Sequence, residues 1–304
     1  LRGALFAFAC MVAAPVSAFD LMTKPMCKDV YQSFADMIAP GDDLTSVMVQ
    51  SVTVTPDGWC LINGADLGFE DVDFDTFMWR MDDTARWTAD GIPPLGLEVR
   101  AIGLDPREMQ GGGPDRPFLT LEALLRQQPE AGQVIVERAA LYNDAGDVLT
   151  VSGVFERLFL SSPSMMQVSA GSAAFKSGLI GVTFGGTVEN PFGFGVDVSV
   201  AGDAQAQREA AFRLISLLPV GVVDDASRAE MMAFAGDLPR PVGTFEAIVT
   251  SDRGLGMMQL GASAAMTLGQ LGEVTEAEER AGLAVLLDGI TLRADWTPAA
   301  QVAD

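Results

Sequence analysis

Asp71, Asp73 and Asp75, spaced two apart, come closer to a metal-binding pattern than any other run in this chain. A hard cation such as calcium collects carboxylate and carbonyl oxygens, and a loop starting at Asp71 reaches Asp82 at its twelfth position. The sixth position, where the sharp turn of such a loop needs glycine, is Thr76. Val72 and Phe74 alternate with the acids like the core face of a strand. A strand with a solvated acidic face is therefore the preferred reading, with Asp71, Asp73 and Asp75 as the calcium candidates beside it. Asn143-Asp144-Ala145-Gly146-Asp147 is likewise a turn first and a metal site second.

Other chemistry is narrowed by what is missing. The 304 residues include no histidine, which removes Ser-His-Asp and Cys-His hydrolases and histidine-ligated zinc, copper or haem. A serine–lysine dyad would need Lys176, but Ser172 stands four residues before it, so the Ser-x-x-Lys pattern fails. The glycines between Gly181 and Gly186 lie in a strand-like run rather than a phosphate loop. Glycoside hydrolysis asks only for two carboxylates, which many proteins of this acidity contain, so a carboxylate-based hydrolase is the last alternative. No catalytic residue and no cofactor is assigned. The methionine pairs Met165-Met166, Met231-Met232 and Met257-Met258, with Phe192 and Phe194, fit either a core or a greasy pocket, and burial alone explains them.

The cysteines point to an oxidising compartment. Residues Ala4 to Val16 form an apolar run of about 13 residues behind Arg2, ending in Val16-Ser17-Ala18. That length suits a secretory signal and falls short of the roughly 20 residues a membrane span needs. A leader over 1–18, with Phe19 as the mature start, removes Cys10 and leaves Cys27 and Cys60 as one expected disulfide. Such a crosslink should stabilise the fold by about 3–4 kcal/mol. Cys10 could instead mark a lipoprotein, although Phe8 beside it argues against that. The net charge is −22, and losing Arg2 leaves 18 basic against 41 acidic residues, or −23. So acidic a surface repels phosphate backbones, and nucleic acid is not an expected partner.

Elements that would position any site read mostly as strands. Apolar residues alternate over Leu95–Leu104, Val134–Tyr142, Val148–Phe155, Leu179–Val188, Phe194–Val200, Phe245–Thr250 and Ile290–Trp296, with a further strand at Val47–Val54. Helices are expected over Lys28–Ile38, over Leu121–Gln128 between Thr120 and Pro129, and from Thr275. A helical hairpin over 204–235 is broken at Pro219-Val220-Gly221, with Ala210, Ala211, Leu214, Ile215 and Leu218 near one face. Thr55–Gly58, Asn143–Asp147 and Ser251–Gly254 read as three similar hairpin turns, a faint repeat. The expected fold is mainly β with a few helices (α+β): a large antiparallel, curved or partly closed sheet with helices packed on it. Gly111-Gly112-Gly113-Pro114 suggests a linker over 111–118 between an N-terminal β-rich part, 19–110, and a larger one, 119–304. One continuous domain is the alternative.

The phrases Val52-Thr-Val-Thr-Pro-Asp-Gly, Val148-Leu-Thr-Val-Ser-Gly and Ile290-Thr-Leu-Arg-Ala-Asp-Trp, with the leader and the sparse helices, carry a resemblance. In style, over most of the mature chain, the sequence resembles the AsmA-like and YdgA-like envelope proteins of Gram-negative bacteria. That resemblance implies long sheets with an apolar groove and a periplasmic role in lipid movement or envelope integrity, with no catalytic residues to carry over. This sequence departs from the pattern in having no clear membrane anchor. The expected function is a non-enzymatic exported protein, periplasmic or else extracellular, that binds a lipid or other apolar envelope component. A protein-interaction or structural module with envelope protein partners and no ligand is the alternative.

Overall fold

The computed structural model of the chain describes residues 19–38, 49–64, 74–105, 118–185, 204–256 and 276–299. The leader, the 111–117 stretch, the Phe194–Val200 strand and Met257-Met258 lie outside the described residues, as do Asp71 and Asp73. Ten strands form one antiparallel sheet in chain order, each hydrogen-bonded to its sequence neighbours, and the sheet is not closed. They are β1 (Thr53–Val54), β2 (Cys60–Asn63), β3 (Thr76–Asp82), β4 (Gly96–Leu104), β5 (Leu119–Gln128), β6 (Gln133–Asn143), β7 (Val148–Glu156), β8 (Ala174–Phe184), β9 (Gly243–Gly256) and β10 (Ile290–Pro298). The helices are α1 (Lys24–Ile38), α2 (Thr84–Thr88), α3 (Pro163–Ala170), α4 (Ala204–Leu217), α5 (Asp225–Gly236) and α6 (Glu276–Leu286). The sheet passes from β4 to β5 through continuous pairing on either side of residues 106–117.

Four expectations are corrected. Residues 121–128 are a strand, not a helix. Their Leu/Ala/Arg/Gln composition favours helix locally, but β4 and β6 supply hydrogen-bonding partners on both sides. Leu119, Leu121, Ala123 and Leu125 then share one face, as period two requires. At the start of the sheet, among the described residues, strand is confined to Thr53–Val54, and residues 49–51 form a helical turn. Val49 and Val52, three apart, are both buried beside α1, a spacing that suits a turn of helix. The third expected hairpin turn, Ser251–Gly254, lies inside β9. There the register with β8 slips, Gly254 takes φ +79°, and pairing with β10 continues through Ser251. In α4, Leu214 and Ala210 are exposed, while Ile215 and Leu217 are buried.

Helices cover the two ends of the sheet. α1 packs on β1 and β2, where Cys27 and Cys60 are joined with Cα atoms 5.4 Å apart. A core of Val30, Tyr31, Val52, Ile62, Trp79 and Met81 gathers around that link. At the other end α5 packs on β10 and α4 on α5, with Phe234 against Phe184, Phe245 and Trp296. Arg228 joins the helices by donating to the carbonyls of Ile215 and Leu218, satisfying acceptors that the end of α4 leaves open. The α5 N-cap is Asp224, which accepts from the Ser227 amide at 2.7 Å, and that bond holds its carboxyl below the usual carboxylate range.

The turn after β6 is a small polar core. Asn143 Oδ1 accepts from the amides of Ala145 and Asp147, and its Nδ2 donates to Asp147 Oδ2 at 3.0 Å. Asp147 Oδ1 also accepts from the Gly185 amide at 2.8 Å, so this fully buried carboxylate ties the β6–β7 turn to the end of β8. Asp147→Ala should cost about 1–3 kcal/mol by leaving those donors unpaired, read as a lower urea midpoint. An unchanged midpoint would show that the link contributes nothing.

Candidate functional site

Alternation gives each strand an apolar and a polar side, and the pairing registers decide whether those sides align. They do, from one end of the sheet to the other. Trp79, Val99, Ala123, Ala139, Val151, Ile180, Ala247 and Ala294 are successive cross-strand partners from β3 to β10. On one side of that row runs Ala101, Leu121, Leu141, Leu149, Val182, Phe245 and Trp296. On the other runs Leu97, Leu125, Val136, Gly153, Gly178, Val249 and Leu292. A fourth, shorter row of Val134, Phe155, Phe175 and Leu255 lies beyond it.

Two bulges keep these rows in phase. The sequence Val136-Glu137-Arg138-Ala139 breaks period two, and Glu137 is the residue skipped between Leu124–Arg138 and Leu125–Val136. Lys176 is skipped in the same way between Phe175 and Ser177. A one-residue slip would send every later apolar side chain to the wet face, and each bulge absorbs that extra residue. Gly178 is needed for a different reason. A Cβ there would stand 2.8 Å from the Ser152 carbonyl and 3.0 Å from the Phe175 ring, which lies over the glycine.

Coverage of this face is uneven. Tyr31 of α1 reaches Trp79, and Phe234 of α5 reaches Phe245 and Trp296, at the two ends. Between them, among the described residues, the helices pack on the outer strands and leave the middle rows of β5–β8 half-exposed. Val151 is 36% and Ile180 42% exposed, although both stand in the central apolar row. Four strands at about 4.8 Å spacing, read over some six residues of their length, give an apolar area on the order of a few hundred Å². Ala123 and Ala139, partners in that row, make it shallow where it crosses β5 and β6.

The opposite face carries charge over β3 to β6, and further on mixes Ser152 with Leu179 and Ile248. Arg80 donates to Glu98 at 2.7 Å, Arg126 pairs with Asp82, and Glu122 lies 3.1 Å from Arg138 and 3.7 Å from Arg100. Two aromatic rings interleave with these guanidinium groups. Phe19 lies under Arg80 and Arg126, and Trp59 under Arg80 and Arg100, at 4.4 to 4.6 Å from ring centre to Cζ. Gly96 makes room for this stack, since a Cβ would come within 2.7 Å of both Arg126 and Asp82. Tyr142 donates to Glu122, and burial, then the Glu122 charge, raises its phenol above the ordinary tyrosine value. Asp82, Glu98 and Glu122 are thus engaged by arginines in a cross-strand ladder.

Comparison with known protein families, with curated proteins and with solved structures gives no match. Cys27 and Cys60 lie together in the N-terminal core. Of the calcium candidates only Asp75 is described, packed against Gly103 just before β3. Among the described residues no group of three His, Cys, Asp or Glu is placed to hold a metal ion. Met231 packs in the C-terminal core and Met165 is exposed on α3. Among the described residues no helix is long and apolar enough to cross a membrane. The apolar rows were half legible in the sequence, because alternation marked the strands, but register and bulges came only from pairing.

Proposed function

We propose that this chain is an exported, non-enzymatic protein of the cell envelope that holds an acyl chain or similar apolar component against the half-open middle of its sheet. The observation that carries this reading is the unbroken apolar face, sealed by helices at its ends and exposing Val151 and Ile180 between them. Water-exposed apolar surface of that extent is costly, and each methylene laid on it recovers up to about 0.8 kcal/mol. Ten methylenes would contribute up to about 8 kcal/mol before the costs of association. The disulfide fits an oxidising compartment such as the periplasm.

The test is mass spectrometry of what co-purifies with the mature chain after gentle isolation. Wild type is expected to carry stoichiometric phospholipid or fatty acid. Ile180→Asp should empty it while leaving the thermal transition within a few degrees, because the side chain is already partly in water. A clean wild-type protein would sink the proposal.

A further inference from the structure

The connection between β7 and β8 is an uncharged stretch in an acidic chain. Eighteen consecutive residues, Leu158 to Phe175, carry no charge, and they include α3. Ser162 caps that helix by accepting from the Met165 amide, and Pro163 begins it. Phe159, Met165 and Val168 are 37%, 40% and 74% exposed. Basic residues flank the stretch on both sides, Arg157 before it and Lys176 after it. Their hydrogen bonds go to backbone carbonyls: Arg157 to Arg253, and Lys176 to Asp252 at 2.9 Å. Arg86 likewise donates to the Leu160 carbonyl. Acids are present nearby: Glu156 accepts from Gln133, Asp252 lies in the β9 bulge, and Asp288 pairs with Arg253. The region is therefore close to neutral in a chain of net charge −22.

We infer that this tip, residues 157–176, docks on a phospholipid surface. Exposed apolar side chains on a short helix, bracketed by Arg157 and Lys176 in a near-neutral region, match a layer of acyl chains beneath phosphates. Acidic surface is repelled by anionic headgroups, and a near-neutral tip is spared that cost. The apolar rows lead to the same place. Phe155 and Phe175, whose rings meet edge to face, stand in the middle of the fourth row beside the connection, and the Phe159 ring sits on Gly132 in the adjoining β5–β6 turn. If the open face holds an acyl chain, which is the reading proposed above, this is the end through which the chain arrives from the bilayer.

The experiment is flotation of the mature chain, residues 19–304, with vesicles of phosphatidylethanolamine and phosphatidylglycerol. Wild type should float, and Val168→Asp should lower the bound fraction about ten-fold, as should the double reversal Arg157→Glu with Lys176→Glu. Circular dichroism of each variant shows that the fold is kept, and Val168 is exposed enough to accept the change. Wild type that stays at the bottom, or a folded Val168→Asp that floats as well as wild type, overturns the inference. The same samples are assayed for bound lipid. Lipid lost in Ile180→Asp with flotation unaffected by Val168→Asp keeps the sheet reading and rejects the tip. Flotation through the tip by a protein that never carries lipid does the reverse.

Discussion

Replacing Cys27 and Cys60 together with alanine should lower stability by about 3–4 kcal/mol, measured by denaturant unfolding. The crosslink spans 33 residues, and the chain-entropy model gives that magnitude for a loop of such length. Its position raises the stakes. α1 meets the sheet through β1 and β2, strands of two and four residues, which offer few hydrogen bonds to hold the helix in place. Both cysteines are completely buried within the core that contains Tyr31 and Trp79. Losing the link should therefore loosen α1 before the rest unfolds, with a red shift in tryptophan emission and increased binding of a hydrophobic dye. Reduction of the wild-type protein should reproduce both effects. A loss below about 1 kcal/mol would mean that packing alone holds α1 and that the crosslink adds little.

How much of this fold the sequence disclosed depends on which physical scale set each element. Ile290, Leu292, Ala294 and Trp296 alternate cleanly because β10 has one buried and one wet side, and the strand was readable from that alone. Leu121–Gln128 misled because its side chains favour helix, while the pairing with β4 and β6 that makes it a strand leaves no mark on its own residues. Ser251–Gly254 has turn chemistry yet serves as a bulge, because β8 pairs on both sides of it, at Thr250 and again at Leu255. The cysteine pair could be read from compartment and count. The candidate site could not, since it exists only once eight strands are in register and Glu137 and Lys176 are set aside as bulges. The stack of Phe19 and Trp59 on Arg80, Arg100 and Arg126 left no local signal either. Its five members come from five separate stretches of the chain, brought together by the fold.

Trp296→Ala should cost about 3–5 kcal/mol, the range for removing a large buried aromatic. Its ring meets Phe184 and Phe234, and Phe245 is its cross-strand partner. Its indole N–H donates to Asp237 at 2.9 Å. Trp296→Phe separates the two contributions, since it keeps most of the apolar contact and loses only that hydrogen bond, at a cost of about 1 kcal/mol beyond repacking. The alanine variant should do more than lower the melting point. β10 is an edge strand, and two of its outward amides are met: Leu292 donates to the Val222 carbonyl and Trp296 to the Glu230 carboxylate, while Pro298 has no N–H to offer. Glu230 lies on α5, and Phe234 of the same helix is held against β10 by this aromatic cluster. Loss of the indole should free α5 and uncover the edge for pairing with a second chain. Trp296→Ala should therefore scatter light in a concentration-dependent way well below its unfolding temperature, while Trp296→Phe stays monomeric. If the alanine variant unfolds early but remains monodisperse, the edge is protected by the loop at Val222 and Val223 rather than by α5, and the helices at this end serve the core alone.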